Sequence, residues 1–209
     1  MKRRSFVVVA LFGASALGCS GMPSMPSWMP GSGWVTLIDG EKGLENFDRV
    51  GDANWRAEGG AIVADKGKGG FLLSRQAYKD FRIRAEFWAE SNTNSGIFMR
   101  CANPGKITSD TCYEVNIWDT RPEPKYGTAA IVDHAAVPVP IVHKAAGRWN
   151  SYVITAQGAS LKVEFNGTVT VDIQDSKHAA GPFALQFANL AKGAPGNVIK
   201  WRKVQIRPQ

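Results

Sequence analysis

Glu114, Asn116 and Trp118 alternate along one short stretch of this chain, and Trp88, Phe98, Arg100 and Gln186 hold similar positions on three others. Each is out of phase with the apolar residues of its stretch. Together they suit a sugar: aromatic faces stack on the C–H surface of a pyranose, and carboxylate, amide and guanidinium groups pair with its hydroxyls. Asn94 and Asp119 flank the same stretches. The rival reading is a partly covered face, with tryptophans packed under loops and charges paired to each other. Residue types alone leave both open. Of the three histidines, His134 beside Asp133 is the best candidate for a base or metal ligand. Serine-nucleophile chemistry has no support, since no Gly-x-Ser-x-Gly elbow occurs.

The elements that must position these groups read as strands. From Trp34 onward apolar residues recur every second position, and turn signals return every eight to twelve residues. Candidate strands are Val35–Ile38, Ala61–Ala64, Gly70–Ser74, Phe81–Ala89, Gly96–Cys101, Tyr113–Asp119, Ser151–Ala156, Ser160–Asn166, Thr168–Ile173, Pro182–Ala188 and Val198–Ile206. Asn166-Gly167 between two alternating runs is a two-residue hairpin signal. No stretch reads as a long helix. This count of short strands predicts an all-β fold, a two-sheet sandwich of the jelly-roll kind. Alternation assigns Phe81, Ile83, Ala85 and Phe87 to the core, with Tyr113, Val115 and Ile117, and Phe183, Leu185 and Phe187.

The first thirty-three residues have another purpose. Lys2, Arg3 and Arg4 precede an uncharged apolar run, Phe6–Leu17, too short to span a bilayer. Ala16-Leu17-Gly18-Cys19 resembles the bacterial lipobox, which implies a signal peptide over residues 1–18 and a lipid on Cys19. Ser20 after that cysteine implies the periplasmic face of the outer membrane. An ordinary secreted protein is the alternative. Residues 19–33, with alternating Pro, Ser, Gly and Met, read as a tether, and residues 34–209 as one domain. Losing residues 1–18 removes three basic residues and no acid, so the net charge falls from +7 to +4. No basic run or nucleic-acid motif remains, which argues against nucleic-acid binding. Cys101 and Cys112 are then a pair in an oxidising compartment, and a disulfide is their natural reading.

Several segments carry a family resemblance. These are Asn94-Ser95-Gly96-Ile97-Phe98-Met99-Arg100, Tyr113-Glu114-Val115-Asn116-Ile117-Trp118-Asp119, Gly147-Arg148-Trp149-Asn150, Gly181-Pro182-Phe183-Ala184-Leu185-Gln186 and Ile199-Lys200-Trp201-Arg202. In order and spacing they resemble the 3-keto-disaccharide hydrolase family, across nearly all of residues 34–208. The resemblance implies a concanavalin-like sandwich that cleaves glycosides already oxidised at C3. The ketone acidifies the C2 proton, so one base and one group that stabilises the enolate can release the C1 substituent. On that basis Glu114 is the candidate acid/base or metal-ligating carboxylate, Arg100 the oxyanion contact and His134 a second base. Asn94, Asn116, Trp118, Asp119, Trp88 and Gln186 would bind the carbohydrate, and a divalent metal ion could polarise the ketone. The competing readings are a buried Glu114–Arg100 ion pair, a lectin-like module without catalysis, and a structural envelope protein whose polar face binds another protein.

Overall fold

The computed structural model describes residues 33–188 and 197–209. Two antiparallel sheets pack face to face, the all-β sandwich expected from the alternation. One sheet holds eight strands: β1 (Val35–Asp39), β3 (Arg56–Glu58), β4 (Ala61–Ala64), β6 (Phe81–Ala89), β9 (Trp149–Gln157), β10 (Ser160–Phe165), β11 (Thr168–Gln174) and β13 (Ile199–Pro208). The other holds five, in the order β2 (Phe47–Gly51), β5 (Gly69–Ser74), β12 (Ala184–Ala188), β7 (Ser95–Met99) and β8 (Tyr113–Ile117). The inner faces form one core, in which Phe87 meets Tyr152 and Trp201 from the large sheet while Phe183, Leu185 and Val115 close it from the small one.

Two strands escaped the periodicity. β2 buries only Phe47 and keeps Asp48 and Arg49 in solvent, and β3 is three residues long. Both lie at sheet edges, where alternation is weakest. The Asn166-Gly167 pair is the expected hairpin: both residues have positive φ, 49° and 82°, and Phe165 pairs with Thr168. Cys101 and Cys112 form the expected disulfide, closing the loop between β7 and β8.

Between β8 and β9 runs a long connection whose first part returns along β8. Val132 N–H donates to Glu114 C=O, Asn116 N–H to Ala130 C=O and Ala129 N–H to Asn116 C=O. Residues 129–132 thus continue the small sheet beyond β8. Asp119 holds the connection down, accepting from Thr128 Oγ1 at 2.6 Å and from Ala145 and Ala146 N–H at 3.0 Å.

Candidate functional site

The outer face of the small sheet gathers several of the buried polar groups that have no partner among the described residues. Glu114 stands opposite Phe98 of β7, and Asn116 opposite Gly96; the β7–β12 register carries on to set Gln186 beside Gly96. Asn94 bridges to Ala188 at the end of the same face, and Trp118 follows Asn116 in phase. A Cβ at Gly96 would lie 3.4 Å from Glu114 Cγ and 3.5 Å from Oε1, so the carboxyl folds over the bare glycine. Gly96 leaves that space open between the two amides.

Glu114 is 8 % exposed, and its carboxyl has no hydrogen-bond partner among the described residues. Phe98 flanks it on one side and Val132 on the other, both buried. Burial in these walls raises its pKa to about 7, against a smaller lowering by Arg121 and a smaller raising by Asp133. Such a carboxyl can take up or release a proton near neutrality.

Four neighbouring polar atoms are buried without partners: Asn116 Oδ1, Gln186 Oε1, Trp118 Nε1 and Arg121 Nε. Asn116 Nδ2 donates to the Tyr126 carbonyl at 2.6 Å, which fixes the orientation of its amide and leaves the oxygen free. Arg121 lies 5.5 Å from the Trp118 ring centroid. Two acceptors and two donors left unsatisfied around one buried carboxyl match a polyhydroxylated ligand, because each hydroxyl both gives and accepts. For a divalent cation the donor set is thin, namely one carboxyl and two amide oxygens beside a guanidinium. Among the described residues no three His, Cys, Asp or Glu side chains converge as ligands.

Other predicted site residues lie elsewhere. Arg100 follows the end of β7 with φ 52°, and this left-handed residue turns its side chain away from Phe98. It is 1 % exposed and donates to the carbonyls of Lys79, Gly158 and His178 and to the Asp80 carboxylate. Arg100 therefore ties the end of the sandwich together instead of serving as the oxyanion contact, and the competing Glu114–Arg100 ion pair does not form either. Trp88 belongs to β6 in the large sheet; its ring lies under Lys200 on that sheet's outer face, with the core between it and Glu114. Asp119 has both oxygens committed to the loop. His134 packs edge-on against Tyr113, which points into the core on the side of β8 opposite Glu114. His134 Nδ1 lies 2.7 Å from Asp175, which also accepts from Tyr113 OH at 2.6 Å. Partial burial pushes the Asp175 carboxyl up, but hydrogen bonds from Tyr113, Lys177 N–H and His134 outweigh it and hold the carboxyl at about 2.

Arg121 was missed by sequence reasoning. It lies beyond the last strand position of β8, where no alternation marks a face, and only the returning connection brings it to Glu114. Hollows occur elsewhere. In one of about 430 Å³, lined by Gln76, Tyr78, Lys79, Asp80, Pro208 and Gln209, Asp80 is committed to Arg100 and Tyr78 to Gln76.

Comparison with known proteins agrees with the resemblance in the sequence. A family model described as the 3-keto-alpha-glucoside-1,2-lyase-like domain matches residues 33–207. The chain belongs to this family. Among solved structures, two proteins of Parabacteroides distasonis provisionally named glycosyl hydrolases share the fold. The first has a TM-score of 0.64 at 22 % identity, over 85 % of this chain and 100 % of the other. The second has a TM-score of 0.61 at 15 % identity, over 87 % and 91 %. A carbohydrate-binding module of Bacillus subtilis superposes with a TM-score of 0.50 at 16 % identity, over 83 % and 94 %. No curated protein matches the chain. The family membership and the sandwich agree with a carbohydrate as the ligand class.

Proposed function

We propose that this chain cleaves 3-keto-glycosides by elimination across C1 and C2, with Glu114 as the proton-transfer group. The supporting observation is a buried carboxyl, raised to about 7 and without a hydrogen-bond partner among the described residues, amid donors and acceptors that likewise have none there. In the first step the Glu114 carboxylate takes the C2 proton, and the electron pair passes into an enolate whose charge rests on the C3 oxygen. Arg121 and Trp118 Nε1 are the donors available to that oxygen. When the ketone re-forms, the C1–O bond breaks, and the leaving oxygen recovers a proton from Glu114. Water adding across the resulting C1=C2 bond yields the free 3-keto sugar. Asn116, Gln186 and Asn94 orient the remaining hydroxyls.

The test is incubation of the purified protein with a 3-keto-glucoside, with and without chelator. The native chain should release aglycone, and Glu114→Gln should lose about 10²–10⁴-fold in turnover while sugar binding is retained. Sugar binding without any release, in either condition, would leave a lectin-like module in place of an enzyme.

We also propose that a lipid on Cys19 holds the domain at the membrane, at the periplasmic face of the outer membrane. The support is the order of basic start, short apolar run and Ala16-Leu17-Gly18-Cys19, all outside the described residues. Labelled palmitate should enter the native chain and not Cys19→Ser; equal labelling of both would discard the anchor.

A further inference from the structure

The outer face of the large sheet points away from Glu114 and carries its own chemistry. Three tryptophans there each lie against a cation: Trp34 with Arg84 at 4.2 Å, Trp88 with Lys200 at 4.9 Å and Trp149 with Arg202 at 4.3 Å. Several cations of this face are paired with acids. Arg56 meets Asp65, Lys162 meets Asp172, Arg202 meets Glu86 and Lys203 meets Asp39.

One group is not. Arg82 of β6 stands directly opposite Arg207 of β13, and Arg84 follows two positions on, opposite Gln205. None of the three arginines has a carboxylate partner among the described residues, and Arg82 Nε is buried without any partner. The nearest acids along β6 are taken, Asp80 by Arg100 and Glu86 by Arg202. Like charges directly across a strand pair disfavour the sheet, and among the described residues no carboxylate offsets these. Beside Arg84 lies a hollow of about 230 Å³, lined also by Glu86, Ser151, Val153, Lys203 and Gln205.

We propose that this face is a docking surface for anionic phospholipid headgroups. Phosphates would neutralise Arg82, Arg84 and Arg207, and Trp34 is an aromatic of the kind that settles at the headgroup level. The place where the described residues begin supports this occupant. The described chain begins at Gly33, and Trp34 lies against Arg84, so the tether leaves the domain beside the arginine group. If Cys19 carries the lipid, only the residues between it and Trp34 separate this face from the bilayer. A tether of that length holds the face near the bilayer at high effective concentration, so modest headgroup affinity suffices to orient the domain. Docked in this way, the domain turns the opposite face, with Glu114, toward the solvent. The inference rests on the anchor proposed above and not on the enzymatic reading.

The experiment uses the mature chain from residue 19 with Cys19→Ser, so that no acyl chain contributes. It is sedimented with vesicles of phosphatidylcholine alone, or of phosphatidylcholine and phosphatidylglycerol in equal parts. Binding is expected only to the anionic vesicles, and it should weaken steeply with salt. Arg84→Gln and Arg207→Gln should each weaken binding about fivefold, and the double variant about 25-fold. Lys68→Gln, on another surface, should bind as the parent does. Glu114→Gln should also bind normally, so failure of the enzymatic reading would leave this one standing. The proposal is overturned by equal binding to neutral vesicles, by unaltered binding of both arginine variants, or by inorganic phosphate displacing the protein beyond the effect of ionic strength alone. Preference for an acidic peptide over anionic vesicles would also overturn it, in favour of a protein partner.

Discussion

Replacing Glu114 by Gln removes one buried titration and so makes the site visible in the stability of the protein. The carboxyl moves from an ordinary value of 4.5 to about 7 on folding, mainly because burial takes it out of water. At about 1.4 kcal/mol per pKa unit, holding it ionised costs the folded state about 3 kcal/mol. Because the folded value is the higher one, the folded state is favoured by this group below pH 4.5. That advantage is lost as the pH rises through 7. Urea unfolding at pH 5 and pH 9 measures the loss directly. Between these pH values the native protein should lose about 3 kcal/mol that the Gln variant keeps, roughly 6–12 °C in Tm for a domain of this size. Turnover follows the opposite course: the first step needs the carboxylate, so kcat/KM should rise with pH through about 7. Parallel stability profiles for the two proteins would refute the reasoning, for they would place Glu114 in a hydrated or ion-paired setting. A variant less stable than native at pH 9 would point the same way.

Arg121→Gln should lower kcat by about 10²–10³-fold if its guanidinium meets the enolate, with little change in unfolding; steady-state kinetics at pH 8 check this, and unaltered kcat would remove Arg121 from the mechanism. Arg100→Met should do the reverse. It strands three backbone carbonyls and the Asp80 carboxylate, costing about 3 kcal/mol in urea unfolding, with kcat of the folded fraction unaffected. A stable Arg100 variant with lost turnover would restore Arg100 to the site.

Much of the face was legible because alternation is local. Period two placed Glu114 and Asn116 outward on β8 and Gln186 outward on β12, and these three meet around Gly96. Trp88 misled by the same rule. It does face outward, but alternation says nothing of which sheet a strand joins, and β6 lies in the other one. Arg100 failed for a different reason. The pattern was extended two residues past the strand, to Cys101, and at the first of them, Arg100, a positive φ reverses the side chain. His134 and Asp119 have the right chemistry, but loop residues have no periodicity to reveal their direction, and both proved to fasten structure.

By itself the sequence determined the all-β sandwich, the Asn166-Gly167 hairpin, the pairing of Cys101 with Cys112 and the polar side of β8. These depend on neighbours a few residues apart, or, for the two cysteines, on their flanking one loop between successive strands. Tertiary structure decided everything that requires two distant segments to meet. It sent Trp88 to the far sheet, turned Arg100 into a clamp, brought Arg121 over Trp118 and dried the surroundings of Glu114. Strand pairing between remote parts of the chain sets those distances and that dielectric, and the pKa of a carboxyl depends on both.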